Sequence, residues 1–290
     1  MSIADPTTRS SAVLVSTDWA RDHLDDPNVR FLEVDVDTDS YATGHLPGAV
    51  GLNWKTQLTD PILRDLASRA DLEQLLRDAG INDDTLIVLY GDNNNWFAAW
   101  AYWQLRYQGI DNVRLLDGGR AKVEADGLPL TTEAPLHAAG SITLPTETRE
   151  ELRAYRQQVL DGVGSERHLV DVRSPEEFRG ELSAPAHLPQ EAAQRRGHVP
   201  GAVNVPWSQA VAADGTFKPI DELRSLYGGK GVDGSQEVVA YCRIGERSSH
   251  TWFVLHELLG YDNVRNYDGS WTEYGSLVGA PIETGDGSAN

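Results

Sequence analysis

The only cysteine of this 290-residue chain lies in the stretch Tyr-Cys-Arg-Ile-Gly-Glu-Arg-Ser-Ser-His at 241–250. Cys242 ends an apolar run that is typical of a buried strand, and a helical pattern follows over 247–260. A tight turn between a strand and a helix directs backbone N–H groups and the positive helix end toward a thiol, and both lower its pKa. We therefore predict a reactive thiolate at Cys242, with the side chains of Arg243 and Arg247 turned toward the sulfur.

A thiolate beside N–H donors and two guanidinium groups suits a small, doubly charged oxyanion, because arginine binds such oxygens through paired hydrogen bonds. Phosphate esters and sulfur oxyanions both meet this description. Cysteine phosphatases use Cys-x5-Arg, whereas position 248 is Ser and the spacing here is Cys-x4-Arg. The shorter loop should hold less than a full phosphate, and it leaves room for one extra sulfur atom on Cys242. An Asp that could act as general acid is also not evident.

The chain contains an internal repeat with a period of about 150 residues. GHLPGAV at 44–50 recurs as GHVPGAV at 197–203, and Gly-Ile-Asp-Asn-Val-Arg at 109–114 recurs with one change at 260–265. A repeat this long indicates a duplicated domain rather than a solenoid. The predicted organisation is a catalytically silent domain over 10–135, a linker over 136–150, a catalytic domain over 151–283 and a flexible tail over 284–290.

Each half alternates strand-like and helix-like segments. Short apolar runs predict buried strands at 31–37, 85–90, 112–117, 168–173, 237–242 and 263–268. Helical patterns lie between them, such as 71–80, which Gly80 ends. This alternation predicts an α/β fold in which each domain is a mainly parallel sheet with helices on both faces. Active sites of such sheets lie beyond the carboxyl ends of the strands, where Cys242 is expected.

The two halves can be compared to separate shared scaffold from chemistry. His198 in the second GH-x-PGAV turn has a counterpart, His45, in the first turn, so we predict a structural role for both. The loop after the third predicted strand differs completely between the halves. Its aligned positions pair Gly91 with Cys242, Asp92 with Arg243 and Trp96 with Arg247. The first half therefore has the scaffold without the nucleophile.

These motifs resemble those of the two-domain rhodaneses, sulfurtransferases with tandem rhodanese-like domains. The resemblance runs from about residue 12 to 283 and rests on the paired GH-x-PGAV turns, DVRSPEEFRG at 171–180, the CRIGER loop and DGSW at 268–271. It implies that Cys242 takes the outer sulfur of thiosulfate as a persulfide and releases sulfite. Cyanide or a thiol then removes the sulfur, which is covalent catalysis. The resemblance implies no metal or other cofactor.

The resemblance also implies which residues contact the substrate, with the backbone N–H groups of 243–247 around the persulfide. The expected substrate-binding residues are Arg243, Ile244, Gly245, Glu246, Arg247, Ser248, Arg179 and Trp271. Several family members carry an anion-binding arginine where this chain has Glu177. Arg179, Arg195 or Arg196 could replace it.

The substrate leaves alternatives open. Family members that use 3-mercaptopyruvate tend to have small residues in the loop, of the form Cys-Gly-Ser-Gly, whereas Cys242-Arg243-x-Gly245 is closer to the thiosulfate type. Two cations also favour a dianion over a monocarboxylate. A 3-mercaptopyruvate sulfurtransferase is the first alternative. More remote alternatives are a cysteine-dependent phosphatase or arsenate reductase of the same fold, and a non-catalytic sulfur-carrying or scaffolding module.

Composition sets the remaining limits. A formal net charge of −19 argues against nucleic acid or an anionic membrane surface as a partner. No apolar run approaches the ~18 residues of a membrane span, and the N-terminus lacks the pattern of a secretory signal. A single cysteine excludes an internal disulfide and a cysteine-based metal cluster. We expect a cytoplasmic protein whose partners are a small sulfur donor and a thiol or cyanide acceptor.

Overall fold

The apolar runs of the two halves form two parallel sheets in the computed structural model, which describes residues 12–184 and 192–286. The chain divides into two compact units. The first contains the chain up to Arg149 together with Val211–Phe217, and the second contains Glu150–Ala210 and the chain from Lys218 onward. The segment Val211–Phe217 thus belongs to the first unit, where the Phe217 N–H donates to Asp117 at 2.9 Å.

The first unit is built on a five-stranded sheet. Its strands are β1 Leu14–Val15, β2 Val29–Glu33, β3 Val50–Gly51, β4 Leu86–Tyr90 and β5 Val113–Leu116. They lie in the order β1-β5-β4-β2-β3, and every pair is parallel. The central strand β4 is apolar throughout and buried at four of its five positions, so both of its faces are covered.

The second unit repeats this topology. Its strands are β6 His168–Asp171, β7 Val203–Asn204, β8 Val238–Tyr241 and β9 Val264–Tyr267. They are parallel in the order β7-β6-β8-β9, which matches β3-β2-β4-β5 of the first unit. The place of β1 is taken by a single parallel bridge between Arg153 and Asn266. The sequence repeat is therefore a repeat of topology, and the predicted α/β fold with two parallel sheets is confirmed.

Helices connect the strands in both units. Those of the first unit are α1 Thr17–Asp22, α2 Ser40–Thr43, α3 Trp54–Gln57, α4 Arg69–Asp78, α5 Asp92–Tyr107 and α6 Gly119–Ala125. Those of the second unit are α7 Arg156–Gly162, α8 Pro175–Arg179, α9 Ile220–Gly228, α10 Glu246–Trp252 and α11 Ser270–Tyr274. The π-helical segment Phe253–Leu258 extends α10, and 3-10 turns lie at Glu150–Leu152 and Trp207–Ala210. Helix α4 begins after Ser68, whose side chain accepts the Asp71 N–H, close to its predicted start.

The duplicated GH-x-PGAV turns are held by the same contacts in both units. His198 stacks on Phe178 with ring centroids 3.6 Å apart, and its Nδ1 lies 2.8 Å from the Phe178 carbonyl. His45 stacks on Tyr41 at 3.8 Å with the corresponding contact at 3.0 Å. Each histidine also exchanges two backbone hydrogen bonds with a distant segment. These contacts agree with the structural role predicted for both histidines.

Three further findings concern the limits drawn from the sequence. Across the described ranges, no helix is long and apolar enough to cross a membrane. Within the same residues, no cluster of three or more histidine, cysteine, aspartate or glutamate side chains could hold a metal ion. Of the predicted flexible tail, 287–290 lie outside the described residues, while the Gly285 N–H donates to the Arg179 carbonyl at 3.0 Å.

Candidate active site

The cysteine loop begins one residue after β8, a central strand of the second sheet, at the carboxyl end of its parallel strands. The Cys242 side chain is fully buried. Gly245 has φ +96°, and a Cβ there would lie 2.6 Å from the Asp268 Cα. Only glycine fits this position, because an L side chain would meet both backbone strain and the opposite chain. The close approach of the loop to Asp268 therefore depends on having glycine at position 245.

The Cys242 sulfur lies between one backbone donor and one carboxylate. The Gly245 N–H donates to Sγ at 3.2 Å. On its other side, Sγ lies 3.2 Å from Glu246 Oε2, to which the thiol donates. The Cys242 N–H donates to the Ser270 hydroxyl at 3.0 Å, and that hydroxyl donates to the Tyr267 carbonyl at 2.6 Å. The sulfur is therefore fixed in position before any substrate arrives.

The thiol is less acidic than the sequence predicts. Burial raises the pKa of Cys242, and the adjacent Glu246 carboxylate raises it further, while Arg247 and Ser248 lower it only in part. The lowered pKa predicted for Cys242 is therefore wrong. That prediction counted the loop N–H groups and the two arginines, but not the desolvation of the sulfur or the carboxylate beside it.

Arg247 is already paired with a carboxylate. Its two terminal nitrogens donate to the Glu177 carboxylate at 2.8 and 3.1 Å, and both side chains are buried. Burial alone would raise the pKa of Glu177, but the hydrogen bonds and charge of Arg247 outweigh it and lower the pKa. Glu177 lies where some family members carry an anion-binding arginine, so here that position neutralises a loop cation.

Arg243 has different surroundings. Its side chain is only 1% exposed, and its three guanidinium nitrogens have no hydrogen-bond partner among the residues that the structure describes. Burial lowers the pKa of Arg243, and the nearby Glu246 opposes that effect. A buried guanidinium without hydrogen bonds is unfavourable, and an anion that entered the site would supply the missing acceptors.

The remaining loop residues hold the loop in place. The Ser248 hydroxyl donates to Asn266 Oδ1 at 2.6 Å, and the Asn266 amide donates to the Gly245 carbonyl at 3.1 Å. Ile244 is partly exposed. The side chain of Ser248 thus serves the loop, in addition to its polar contact with the sulfur.

The arginines proposed as replacements at the Glu177 position are engaged elsewhere. Arg179 binds the Glu181 carboxylate with two hydrogen bonds of 2.8 and 3.0 Å. Arg195 donates to the backbone carbonyls of 275, 277 and 280, and Arg196 donates to the Glu181 carbonyl at 3.1 Å. The structure does not bring these three guanidinium groups to the Cys242 sulfur.

Trp271 meets the loop through its backbone. Its N–H donates to the Cys242 carbonyl at 3.1 Å, whereas its indole is buried, donates to the Arg195 carbonyl at 3.0 Å and lies 4.6 Å from the Arg173 guanidinium. The indole therefore packs within the core instead of contacting the sulfur.

Sequence reasoning missed the side-chain roles of Glu177 and Glu246. The spacing of four residues between Glu246 and Cys242 was the available signal.

The corresponding loop of the first unit has no room for a thiol. The Gly91 N–H donates to Asn95 Oδ1 at 3.0 Å, and a Cβ at position 91 would overlap the Val34 carbonyl oxygen. The residues Asn93, Asn94 and Asn95 all have positive φ, from 46° to 64°. The backbone here takes a different course from the cysteine loop, although the strands around it match.

Known sequences and structures share this organisation. A family model described as "Rhodanese-like domain" matches the chain twice, over 16–126 and 155–277. A provisionally named thiosulfate sulfurtransferase of Mycolicibacterium smegmatis is 58% identical over 275 residues, covering 95% of this chain and 99% of its own length. The sulfur carrier protein TtuD of Thermus thermophilus is 52% identical over 278 residues, covering 94% and 97%.

Solved structures agree with these relatives. The structure of YnjE superposes with a TM-score of 0.80 at 26% identity, covering 94% of this chain and 68% of its own. EanB, solved in one case as a cysteine persulfide with ergothioneine, gives a TM-score of 0.81 at 25% identity, covering 96% of this chain and 71% of its own. Since the domain model matches both halves and the relatives match nearly the full length, this chain belongs to the two-domain rhodanese family of sulfurtransferases.

Proposed function

We propose that this protein is a thiosulfate sulfurtransferase. Cys242 takes the outer sulfur of thiosulfate as a persulfide, releases sulfite, and passes the sulfur to cyanide or a thiol. The observation that carries the proposal is a fixed thiol beside a buried arginine, Arg243, that has no hydrogen-bond partner in the described part of the chain. Relatives provisionally named thiosulfate sulfurtransferases at 55–58% identity support it.

The site offers one available guanidinium rather than the two expected from the sequence. Arg247 is bound to Glu177, so we assign it the role of positioning the loop. Arg243 is assigned to the sulfonate oxygens of the donor, since charge-assisted hydrogen bonds to such oxygens are strong in a buried site. The Gly245 N–H, 3.2 Å from Sγ, would stabilise negative charge on the sulfur during the reaction.

The first experiment is an intact-mass measurement. The protein is incubated with excess thiosulfate, the donor is removed, and the mass is compared with that of Cys242→Ser treated in the same way. We expect a gain of one sulfur atom that cyanide removes and that the variant never shows. A gain with 3-mercaptopyruvate and none with thiosulfate would identify 3-mercaptopyruvate as the sulfur donor. No gain with either compound would overturn the sulfurtransferase proposal.

A second candidate is transfer of the persulfide sulfur to a protein thiol. The name of the relative TtuD, a sulfur carrier protein, is the observation that favours it. Such a role differs from the first only in the acceptor, so discharge of the loaded protein by small thiols and by protein thiols should be compared.

The cycle begins from a free thiol, which is why we place the protein in the reducing cytoplasm.

A further inference from the structure

Glu246 is placed to receive the proton of the nucleophile. Its Oε2 lies 3.2 Å from Cys242 Sγ, and both side chains are fully buried. Its other oxygen, Oε1, has no hydrogen-bond partner among the described residues. A buried carboxylate oxygen that lacks partners is unfavourable. Among the described residues, the Cys242 thiol is thus the only hydrogen-bond partner of this carboxylate.

Pairing with Arg247 does not explain Glu246. The Arg247 Nε lies 3.9 Å from Glu246 Oε1, beyond hydrogen-bonding distance, whereas Glu177 accepts two hydrogen bonds from the same guanidinium at 2.8 and 3.1 Å. Glu177 already supplies the carboxylate that the buried cation requires.

The duplicated unit provides an internal comparison. Asn95 lies four residues after Gly91, as Glu246 lies four residues after Cys242, and its side chain also reaches back, accepting the Gly91 N–H at 3.0 Å. The scaffold thus explains why a polar side chain at this position contacts the residue four positions earlier. It does not explain why that side chain is an amide where there is no thiol and an acid where there is one.

We propose that Glu246 is the catalytic base that accepts the Cys242 proton during sulfur loading, keeps it while the persulfide exists, and returns it on discharge. This inference rests on the proposed sulfurtransferase function. It assigns Glu246 a chemical role through its side chain, in place of the backbone contact expected from the family loop.

The proton and electron pairs balance over the cycle. In loading, Sγ bonds to the outer sulfur of thiosulfate, the sulfur–sulfur bond of thiosulfate breaks, and sulfite leaves with the bonding pair. The thiol proton moves to the Glu246 carboxylate, which leaves a persulfide anion beside a neutral acid. In discharge, cyanide bonds to the outer sulfur, thiocyanate leaves, and the Cys242 thiolate recovers its proton from Glu246. Neither half-reaction exchanges a proton with water.

The other charged groups near the pair keep one charge state around neutral pH. Arg243 stays protonated, and Arg247 is ion-paired with Glu177 from α8. Burial lowers the pKa of His250 on α10 to about 3, so this imidazole is neutral. Asp268, next to Gly245, is held in an ion pair at 2.8 Å with an arginine. A pH dependence of loading near neutrality therefore reports on the thiol and its base.

The test is the pH profile of single-turnover loading by thiosulfate, measured by rapid quench and intact mass between pH 6 and 9. For the native protein we expect a flat profile, because the proton moves internally. Glu246→Gln should load roughly a hundredfold more slowly at neutral pH, and its rate should rise about tenfold per pH unit, because the proton must then leave to water. Glu246→Asp keeps an acid and should retain a flatter profile. A flat profile in the Gln variant would overturn the inference.

A second measurement uses the native protein alone, so its outcome does not depend on the folding of a variant. It compares infrared difference spectra of the persulfide and thiol states. We expect the carbonyl band of a protonated carboxylic acid in the persulfide state, shifted when glutamate is isotopically labelled. Absence of the band in a fully loaded sample would overturn the role of Glu246 alone. Absence of loading itself, seen by mass, would instead overturn the proposed function.

Discussion

At the scale of single residues, Arg243 and Arg247 look equivalent in the sequence but differ in their partners. Arg247 is bound to Glu177, which lies 70 residues earlier in the chain. Arg243 is buried without a hydrogen-bond partner among the described residues. The sequence could predict that the loop holds two cations next to the thiol. It could not predict which of them is neutralised, because that depends on a contact between distant segments.

Replacement of Arg243 separates the effect of this side chain on protein stability from its effect on binding of the sulfur donor. Arg243→Met should raise the KM for thiosulfate roughly 10- to 100-fold, because a charge-assisted hydrogen bond contributes about 1.5–3 kcal/mol. The same variant should raise the free energy of unfolding by about 1 kcal/mol, because it removes a buried guanidinium that makes no hydrogen bond in the described part of the chain. Steady-state kinetics and urea unfolding measure the two effects. Unchanged KM would contradict the assignment of Arg243 to the donor.

The matched variant is Arg247→Met, for which the opposite effect on stability is expected. It leaves the Glu177 carboxylate buried without its partner, which typically costs about 3–5 kcal/mol. Adding Glu177→Leu should restore most of that loss, because an apolar pair can replace a buried ion pair. Urea unfolding of the single and double variants tests this. If the double variant is no more stable than Arg247→Met, the ion pair is not the reason for the loss.

At the scale of elements, the long apolar strands were predictable and the short edge strands were not. Strand β8 over Val238–Tyr241 was predicted from its apolar run, and the structure buries all of its residues. Strands β3 and β7 contain two residues each, too few for any periodic pattern. Strand β2 ends at Glu33, whereas the predicted strand continued to 37. Beyond that point the Asp35 side chain instead accepts the Asp92 N–H at 2.8 Å.

The turn at Gly245 gives a test of the loop as an element. Gly245→Ala should lower the free energy of unfolding by about 2 kcal/mol or more, through positive φ and the approach of Asp268, and it should abolish loading. Gly228→Ala is the control, since Gly228 lies in helix α9 with nothing within 4 Å of a new Cβ. The control should be stabilised by up to about 1 kcal/mol. Equal effects of both substitutions would contradict this account of the loop.

Asp35, which follows the carboxyl end of β2, should make the stability of the protein depend on pH. Burial, helped by the negative charge of Glu33, raises the pKa of Asp35 to about 8. An unfolded aspartate ionises near pH ~4, so between about pH 4 and 8 the folded state binds the extra proton and stability falls as pH rises. The Asp35→Asn variant mimics the protonated form and cannot ionise. Its free energy of unfolding should therefore fall less steeply with pH than that of the native protein, by about 1 kcal/mol per pH unit. Parallel stability curves for the two proteins between pH 5 and 8 would refute it.

At the scale of the whole molecule, a duplicated scaffold carries a cysteine in one copy only. The sheets share their strand order, and the tyrosines that end β4 and β8 each accept a backbone N–H from the GH-x-PGAV turn, at 3.0 and 3.1 Å. The sequence predicts that the first copy is catalytically silent, because Gly91 takes the place of Cys242 there. The structure adds that no side chain would fit there, since a Cβ at 91 would overlap the Val34 carbonyl.

The net charge of −19 sets the long-range field that a dianionic donor meets. The four charged side chains around the sulfur do not reverse this field, because Arg243 and Arg247 are matched in number by Glu177 and Glu246. Added salt screens long-range repulsion over a Debye length of about 10 Å at 0.1 M, while short contacts within a buried site are screened much less. Association with thiosulfate should therefore become faster as ionic strength rises.

We expect the second-order rate constant of loading to increase roughly two- to fivefold between 20 and 200 mM potassium gluconate, a salt whose bulky anion is a poor competitor for a small site. Discharge of the preformed persulfide by dithiothreitol, a neutral thiol, is the internal control and should change little. A loading rate that falls with salt would show that a positive field guides the donor. The charge of the whole molecule would then matter less than the local field of Arg243.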